Sequence, residues 1–484
     1  MPAGRAATVA PVLPPDRAPR SAALLLLALA GCSSSPETVS ATGAGGGASS
    51  TSAQTTAGTG ASAGGNGGAG GEVSATTGAG GATGAGGAGG SPVVDACVGT
   101  NPACPDNAPA SAGKGLVAIN RCAFPMVDQD TWSTKGAVIA ALDAKLPTVS
   151  LSDVLLDLNR TAVPVTSAQL PGGVTGFKSG FRWNDGDESV EYWIPQGLTS
   201  SADAGAQGTL GGHEVLLVAS YYEKDSDPGS TAEKGVRIAV VDVSVSPPMY
   251  RFALLVDPVA GQIPDLAPIT IHAGGIVWFD DYLYVADTSR GFRVFDLKHI
   301  FQVGTAADTL GYDAATQTYQ AHQYKYVIPQ VDLYKHASAC GPIFSFVALD
   351  RSTTPPSLVS GEYCNGTTAC GGALDGRLFR WPLDPTTGRL APPKTTYPAS
   401  AHYAGQSSVQ GGVSHAGTFY LSSSAPAGTG GALYVIPAGA KSVTFPWVNS
   451  PEDLVYDGKK KRIWGLSEGL GERYVFSVDA AKYP

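Results

Sequence analysis

The chain has 484 residues, only 15% of them charged, and carries 63 glycines, an excess concentrated in one segment near the start. Its formal net charge is −9. Without residues 1–31, which hold Arg5, Arg17, Arg20 and Asp16, it is −11. That balance opposes nucleic acid or anionic lipid headgroups as partners of a basic surface, and the single basic run, Lys459–Arg462, falls in a hairpin turn.

Residues 1–31 read as an export signal. Arg17 and Arg20 precede the Ala/Leu run Ala22–Ala30, roughly nine residues and too short to span a bilayer as a helix. The run ends Leu29-Ala30-Gly31-Cys32, which resembles a bacterial lipobox. Cys32 is the expected lipidation site, and Ser33 after it is compatible with the outer membrane. The expectation is an exported, membrane-anchored lipoprotein. Residues 32–95 then hold the lipidated Cys and a linker. From Ser33 to Ser91 the chain is nearly all Gly, Ala, Ser and Thr, with Glu37 and Glu72 its only charges. Such a segment cannot bury enough apolar surface to offset its ordering entropy. As a flexible coil it reaches about 40–45 Å, so it reads as a disordered tether.

Six cysteines remain: Cys97, Cys104, Cys122, Cys340, Cys364 and Cys370. An even number in an oxidising compartment points to disulfides. Cys97 with Cys104 and Cys364 with Cys370 are the local pairings the loops suggest. Cys340 with Cys364 is the alternative, leaving Cys122 to seek a distant partner. No Cys-x-x-Cys pair supports a zinc site.

Residues 96–175 form a loop and helical region expected to pack on the main domain. Ser133 or Thr134 caps a helix carrying Val138, Ile139, Leu142 and Leu146 on one face, and Pro147 stops it. Ser150 and Asp153 open a second short helix with a capping-box pattern. From 176 to 484 the chain reads as strands. The clearest unit is His272–Leu297: Ile276–Phe279, a turn at Asp280-Asp281, Tyr282–Ala286, a break at Asp287–Ser289, then Phe292–Phe295. Short strands punctuated every 8–12 residues mark an antiparallel meander, and this one reads as a propeller blade. Matching it along the chain gives five blades, with a sixth allowed inside 96–190. The last begins at Pro451 and lacks an outer strand. An open edge is a liability, so an N-terminal segment, Phe177–Trp183 or Gly115–Asn120, is expected to close the ring. The fold class is therefore all-β: a β-propeller with two short N-terminal helices.

In a propeller the start of each inner strand and the end of each second strand open on one face. That rule selects Gln196, His272, Asp287, Glu362, Gln410, Glu452, Asp453 and Glu468 as channel-mouth residues, with Tyr222 and Glu223 at a further exit. Carboxylates, amides and one His suit a ligand with polar groups, or a divalent cation such as calcium held by oxygens. A metal-dependent, lactonase-like hydrolase using Glu452, Asp453, Glu468, Asp287 and His272 is the catalytic alternative, and a structural cell-envelope scaffold is a third. No Gly-x-Ser-x-Gly elbow is present.

Four phrases carry a resemblance: His272–Leu297, Ser357–Tyr363, Arg380–Asp384 with Thr387-Gly388, and Pro451–Asp457. With Tyr192–Thr199 they resemble a family of uncharacterised secreted bacterial propeller-like proteins. The similarity covers about 96–484, and it implies a secreted propeller domain with no transferable activity or site residues. The lipobox and tether depart from a freely secreted form. Membrane attachment through lipid and a protein or small-molecule ligand at the mouth are the expected partners.

Overall fold

A computed structural model describes residues 96–105, 115–170, 173–337, 339–366, 370, 375–424 and 430–484. The segments read as an export signal and a tether, with Cys32 between them, lie outside the described residues. So do short loop stretches, including 371–374 and 425–429.

Hydrophobic runs flanked by Asx turns produce five antiparallel four-stranded units. Blade one is Trp193–Ser200, Val215–Tyr222, Val236–Asp242 and Met249–Val259. Blade two is Ile276–Phe279, Tyr282–Asp287, Gly291–Asp296 and Tyr326–His336. Blade three is Phe344–Asp350, Ser357–Glu362, Arg377–Pro382 and Ser400–Tyr403. Blade four is Val409–His415, Thr418–Ser423, Gly431–Ile436 and Val443–Trp447. Blade five is Pro451–Asp457, Arg462–Ser467 and Tyr474–Asp479, completed by Phe177–Arg182. The ring is thus sealed from the N-terminal side: Phe181 lies opposite Val475 and Gly180 opposite Phe476. Residues 117–118, in the other segment expected to close it, extend blade three instead, Val117 opposite Tyr403.

The inner strands neighbour one another in cyclic order, blade five returning to blade one. Bonds across the joints fix that order. Trp278 N donates to Thr199 Oγ1 at 3.0 Å between blades two and one. Ser345 Oγ donates to Val409 O at 2.9 Å between three and four. Ser422 Oγ donates to Glu452 O at 2.5 Å between four and five. Blades two and three meet through glycine: a Cβ on Gly275 would stand 2.2 Å from Val347 N, and one on Gly274 would meet Ser345 O. The domain is therefore an all-β propeller, with five blades among the described residues, and the described part of 96–190 adds no sixth.

Blades one and two share more than a packed face. Leu254–Val256 pairs in parallel with Val327–Pro329, which fuses their outer edges into one sheet. The N-terminal helices pack on the domain as expected, on this rim against the outer strands. Helix Trp132–Asp143 buries Val138, Ile139 and Leu142. Its N-cap is Thr131, not Ser133 or Thr134, because Thr131 Oγ1 is anchored to Asp332 Oδ1 at 2.9 Å on blade two. Helix Leu151–Leu155 has the expected capping box between Ser150 and Asp153. Trp183, Trp193, Trp278, Trp381, Trp447 and Trp464 are all buried. Among the described residues no helix is long and apolar enough to cross a membrane.

Three disulfides form. Cys364–Cys370 is the local pair expected. The others correct the sequence assignment: Cys97 joins Cys122 and Cys104 joins Cys340 across 236 residues. The chain returns from the N-terminal region to blade three, so sequence proximity of Cys97 and Cys104 misleads. Cys340, Cys364 and Cys370 all lie in connections at the end of the disc where inner strands begin.

Candidate functional site

The inner strands open with a shared irregularity. In blade one the register skips Gln196 between Pro195 and Gly197. In blade three it skips Ser345, in blade four Gln410, and in blade five it shifts across Glu452 and Asp453. These are bulges, which place two residues against one and re-aim the extra side chain. Blade two has Gly274-Gly275 at the equivalent place. Bulged polar residues at the entry of four inner strands, with glycines beside them, let five backbones crowd one axis.

Asp453 occupies that crowded centre. It is fully buried. Its Oδ2 accepts from Leu198 N of blade one at 3.0 Å and Ile276 N of blade two at 3.3 Å, and Oδ1 from its own Leu454 N at 2.9 Å. A Cβ on Gly411 of blade four would fall 2.5 Å from its Cα. Burial pushes its pKa well above the ordinary range, opposed by those three amides. Asp453 is thus a structural plug of the axis, with both oxygens engaged.

Above it lies the polar cluster. Gln196 Nε2 donates to Glu468 Oε2 at 2.7 Å, joining blade one to blade five. Gln410 Nε2 donates to Glu452 Oε1 at 3.0 Å, joining blade four to blade five. Burial raises Glu468 to about 7, opposed by the Gln196 hydrogen bond and the Arg473 charge. Burial, then the neighbouring Glu468 and Asp453 charges, hold Glu452 well above its usual value. His272 stacks on Tyr221 with ring centroids 4.3 Å apart. Its ring keeps contact with solvent, yet the protein around it favours the neutral form and pushes its pKa down to about 4. Tyr221 feels the Glu468, Glu223 and Glu452 charges, which together with its burial push its phenol upward.

Of the expected mouth residues, the structure therefore joins Gln196, Gln410, Glu452 and Glu468 through hydrogen bonds, with His272 and Tyr221 beside them and Asp453 beneath. Two are spent elsewhere. Asp287 faces Arg293 Nε at 2.8 Å, and Arg293 continues to Gln330. Glu362 takes Arg377 through both oxygens and the amide of Ile343. In both blades an Arg on the third strand draws the carboxylate off the axis. At the blade-one exit the side chain at the mouth is Tyr221, not Tyr222. Strand alternation turns Tyr222 inward, where it packs on Trp193 and donates to Asp227. Sequence reasoning missed Ser345, the bulged residue of blade three.

Among the described residues no group of three or more His, Cys, Asp or Glu side chains is arranged to hold a metal ion. With Asp287 on Arg293 and Asp453 on backbone amides, the ligand set expected for calcium or for a lactonase-like hydrolase is not assembled. The arrangement offers paired amide and carboxyl groups, each able to meet a hydroxyl, and an aromatic stack beside them.

No protein-family profile matches this chain, and no curated protein matches it in sequence. Solved structures with a likeness include hydrazine synthase of Kuenenia stuttgartiensis, at TM-score 0.28 and 10% identity over 60% of this chain and 87% of that one. The β-propeller domain of Myceliophteria thermophila Cps50 (Swd1) gives 0.28 and 9% over 59% and 96%. A GH43_1 enzyme of Xanthomonas citri gives 0.28 and 9% over 70% and 92%. At such values the likenesses say nothing about what this chain binds; the strand topology alone carries the fold.

Proposed function

We propose that this protein is an exported, lipid-tethered propeller that binds a small polar ligand rich in hydroxyl groups at the mouth of its ring. The observation that supports this most is the pair of cross-blade contacts, Gln196–Glu468 and Gln410–Glu452, set beside the solvent-accessible His272 on Tyr221. Carboxyl groups held toward their neutral form can donate as well as accept, and amides do both. Such a surface favours an uncharged polyol or sugar over a cation or an anion. The Cys364–Cys370 disulfide closes a connection on the same face, where loops commonly carry recognition. Lipid on Cys32 and the Gly-rich tether would keep the domain attached to the membrane surface.

Thermal unfolding in the presence of a panel of neutral mono- and oligosaccharides tests the binding role. A sugar that raises Tm for the native chain and fails to do so for Gln410→Ala and His272→Ala supports it. No shift with any sugar, or equal shifts in the variants, would remove it. Retention of Cys32→Ala in salt-washed membranes would contradict the anchor.

A further inference from the structure

A recess lies on the rim, away from the mouth, where the outer strands of blades one and two approach the segment following the second helix. Its volume is about 200 Å³, and its wall includes Arg160, Arg251, Phe252, His322, Tyr324 and Lys325 but no carboxylate. The wall turns on two consecutive non-glycine residues with left-handed backbone, His322 at φ 48° and Gln323 at φ 67°. Such residues cost energy and persist where the surroundings fix them.

The charges behind the wall do not balance it. Asp157 pairs with Lys325 at 2.6 Å and Arg251 at 3.2 Å, and Asp187 with Arg160 at 3.2 Å. Arg237 adds a fourth cation. It is buried, lies 3.7 Å from the Phe252 ring centroid, donates to the Tyr324 hydroxyl and leaves its Nε without a partner. Arg160 stands over the same Phe252 ring at 5.0 Å. Three permanent cations thus line one partly enclosed space, a fourth, Arg237, is buried against its Phe252 and Tyr324, and two carboxylates pair with the lining three. His322 is held by Asp308 at 2.8 Å, and Asp308 is shared with Lys234. Cations crowded in a recess repel one another, and a bound anion relieves that repulsion. Guanidinium groups match tetrahedral oxyanions with two parallel N–H bonds.

We infer that this recess binds an oxyanion, a phosphate or sulfate group, either as the free ion or as the ester of a small molecule whose stem lies on Phe252 and Tyr324. The site is independent of the mouth and of the function proposed for it.

Isothermal titration of the full chain with inorganic phosphate, inorganic sulfate, glucose 6-phosphate and glucose 6-sulfate tests it. Binding is expected for at least one of the four, weakening as sodium chloride rises. Tighter binding of the esters by tenfold or more identifies an esterified ligand; equal binding identifies the free ion. Arg160→Gln and Lys325→Gln are each expected to weaken binding at least tenfold, and Lys325→Arg to retain it. Circular dichroism melts establish that each variant folds, and Lys325→Arg against Lys325→Gln keeps the comparison if Arg160→Gln does not. No binding of any of the four at 10 mM (about the Kd limit of a useful site), or unchanged affinity in the folded Gln variants, would overturn the inference.

Discussion

Glu468 is where residue chemistry and conditions meet. Its folded pKa of about 7 stands above the ordinary 4.5 because burial outweighs the Gln196 hydrogen bond and the Arg473 charge. Between those values the folded chain holds a proton that the unfolded chain has lost. This contribution to stability is therefore full below about pH 4.5 and is lost as pH rises toward 7. Glu452, whose pKa burial raises in the same direction, contributes in the same sense. In denaturant unfolding across this range, the stability of Glu468→Gln relative to the native chain should rise with pH, since the variant lacks this loss while the opposing His272 contribution is common to both. Equal slopes in both proteins would refute the assignment. The sequence named Glu468 and Gln196 but gave no means to pair them, since they stand 272 residues apart. It also named Asp287 and Glu362, and the rule that chose them placed their backbones correctly at strand exits. Their side chains were lost to Arg293 and Arg377, partners visible in the sequence only once third strands are considered as rivals for a carboxylate.

At the scale of elements, the inner strands explain why a buried carboxylate plugs the axis. Glycines beside the bulges bring neighbouring backbones into contact, and Asp453 satisfies the amides so exposed. Gly275→Ala would force a Cβ to within 2.2 Å of Val347 N, which is backbone and cannot swing aside. The entropy gained from constraining the unfolded chain is about 0.4–1 kcal/mol. Overpacking of this kind costs about 1–3 kcal/mol or more, so the variant should unfold at lower denaturant. A neutral or stabilised Gly275→Ala would mean blades two and three do not meet there. Strand positions were largely legible because turn residues and apolar runs alternate so regularly. Bulges were not, because they are a relation between two strands and leave no mark on either alone. Tyr192–Gln196 and Tyr326–Gln330 show the limit from the other side: similar words, one opening an inner strand and the other an outer one.

For the whole molecule, closure is the decisive property. Blade five owes its outer edge to Phe177–Arg182, so the ring is complete only when both ends of the domain are present. Removing residues 33–91 should leave the melting temperature within a degree or two (roughly the effect of a few tenths of a kcal/mol). Extending the deletion through residue 183 should abolish soluble, monomeric protein, as judged by size-exclusion chromatography. A stable monomer from the longer deletion would contradict ring closure. Closure was foreseeable from the missing strand, whereas the disulfide from Cys104 to Cys340 was not, because it depends on where the returning chain passes blade three.

The contact on which the mouth depends is Gln196 with Glu468, made only if blade one meets blade five at the axis. A double-mutant cycle with Gln196→Ala and Glu468→Ala, followed by denaturant unfolding at pH 7.5, measures it directly. The account predicts a coupling of about 1–2 kcal/mol, as for a charge-assisted hydrogen bond. Effects that add to within about 0.3–0.5 kcal/mol would place the two side chains apart and contradict it.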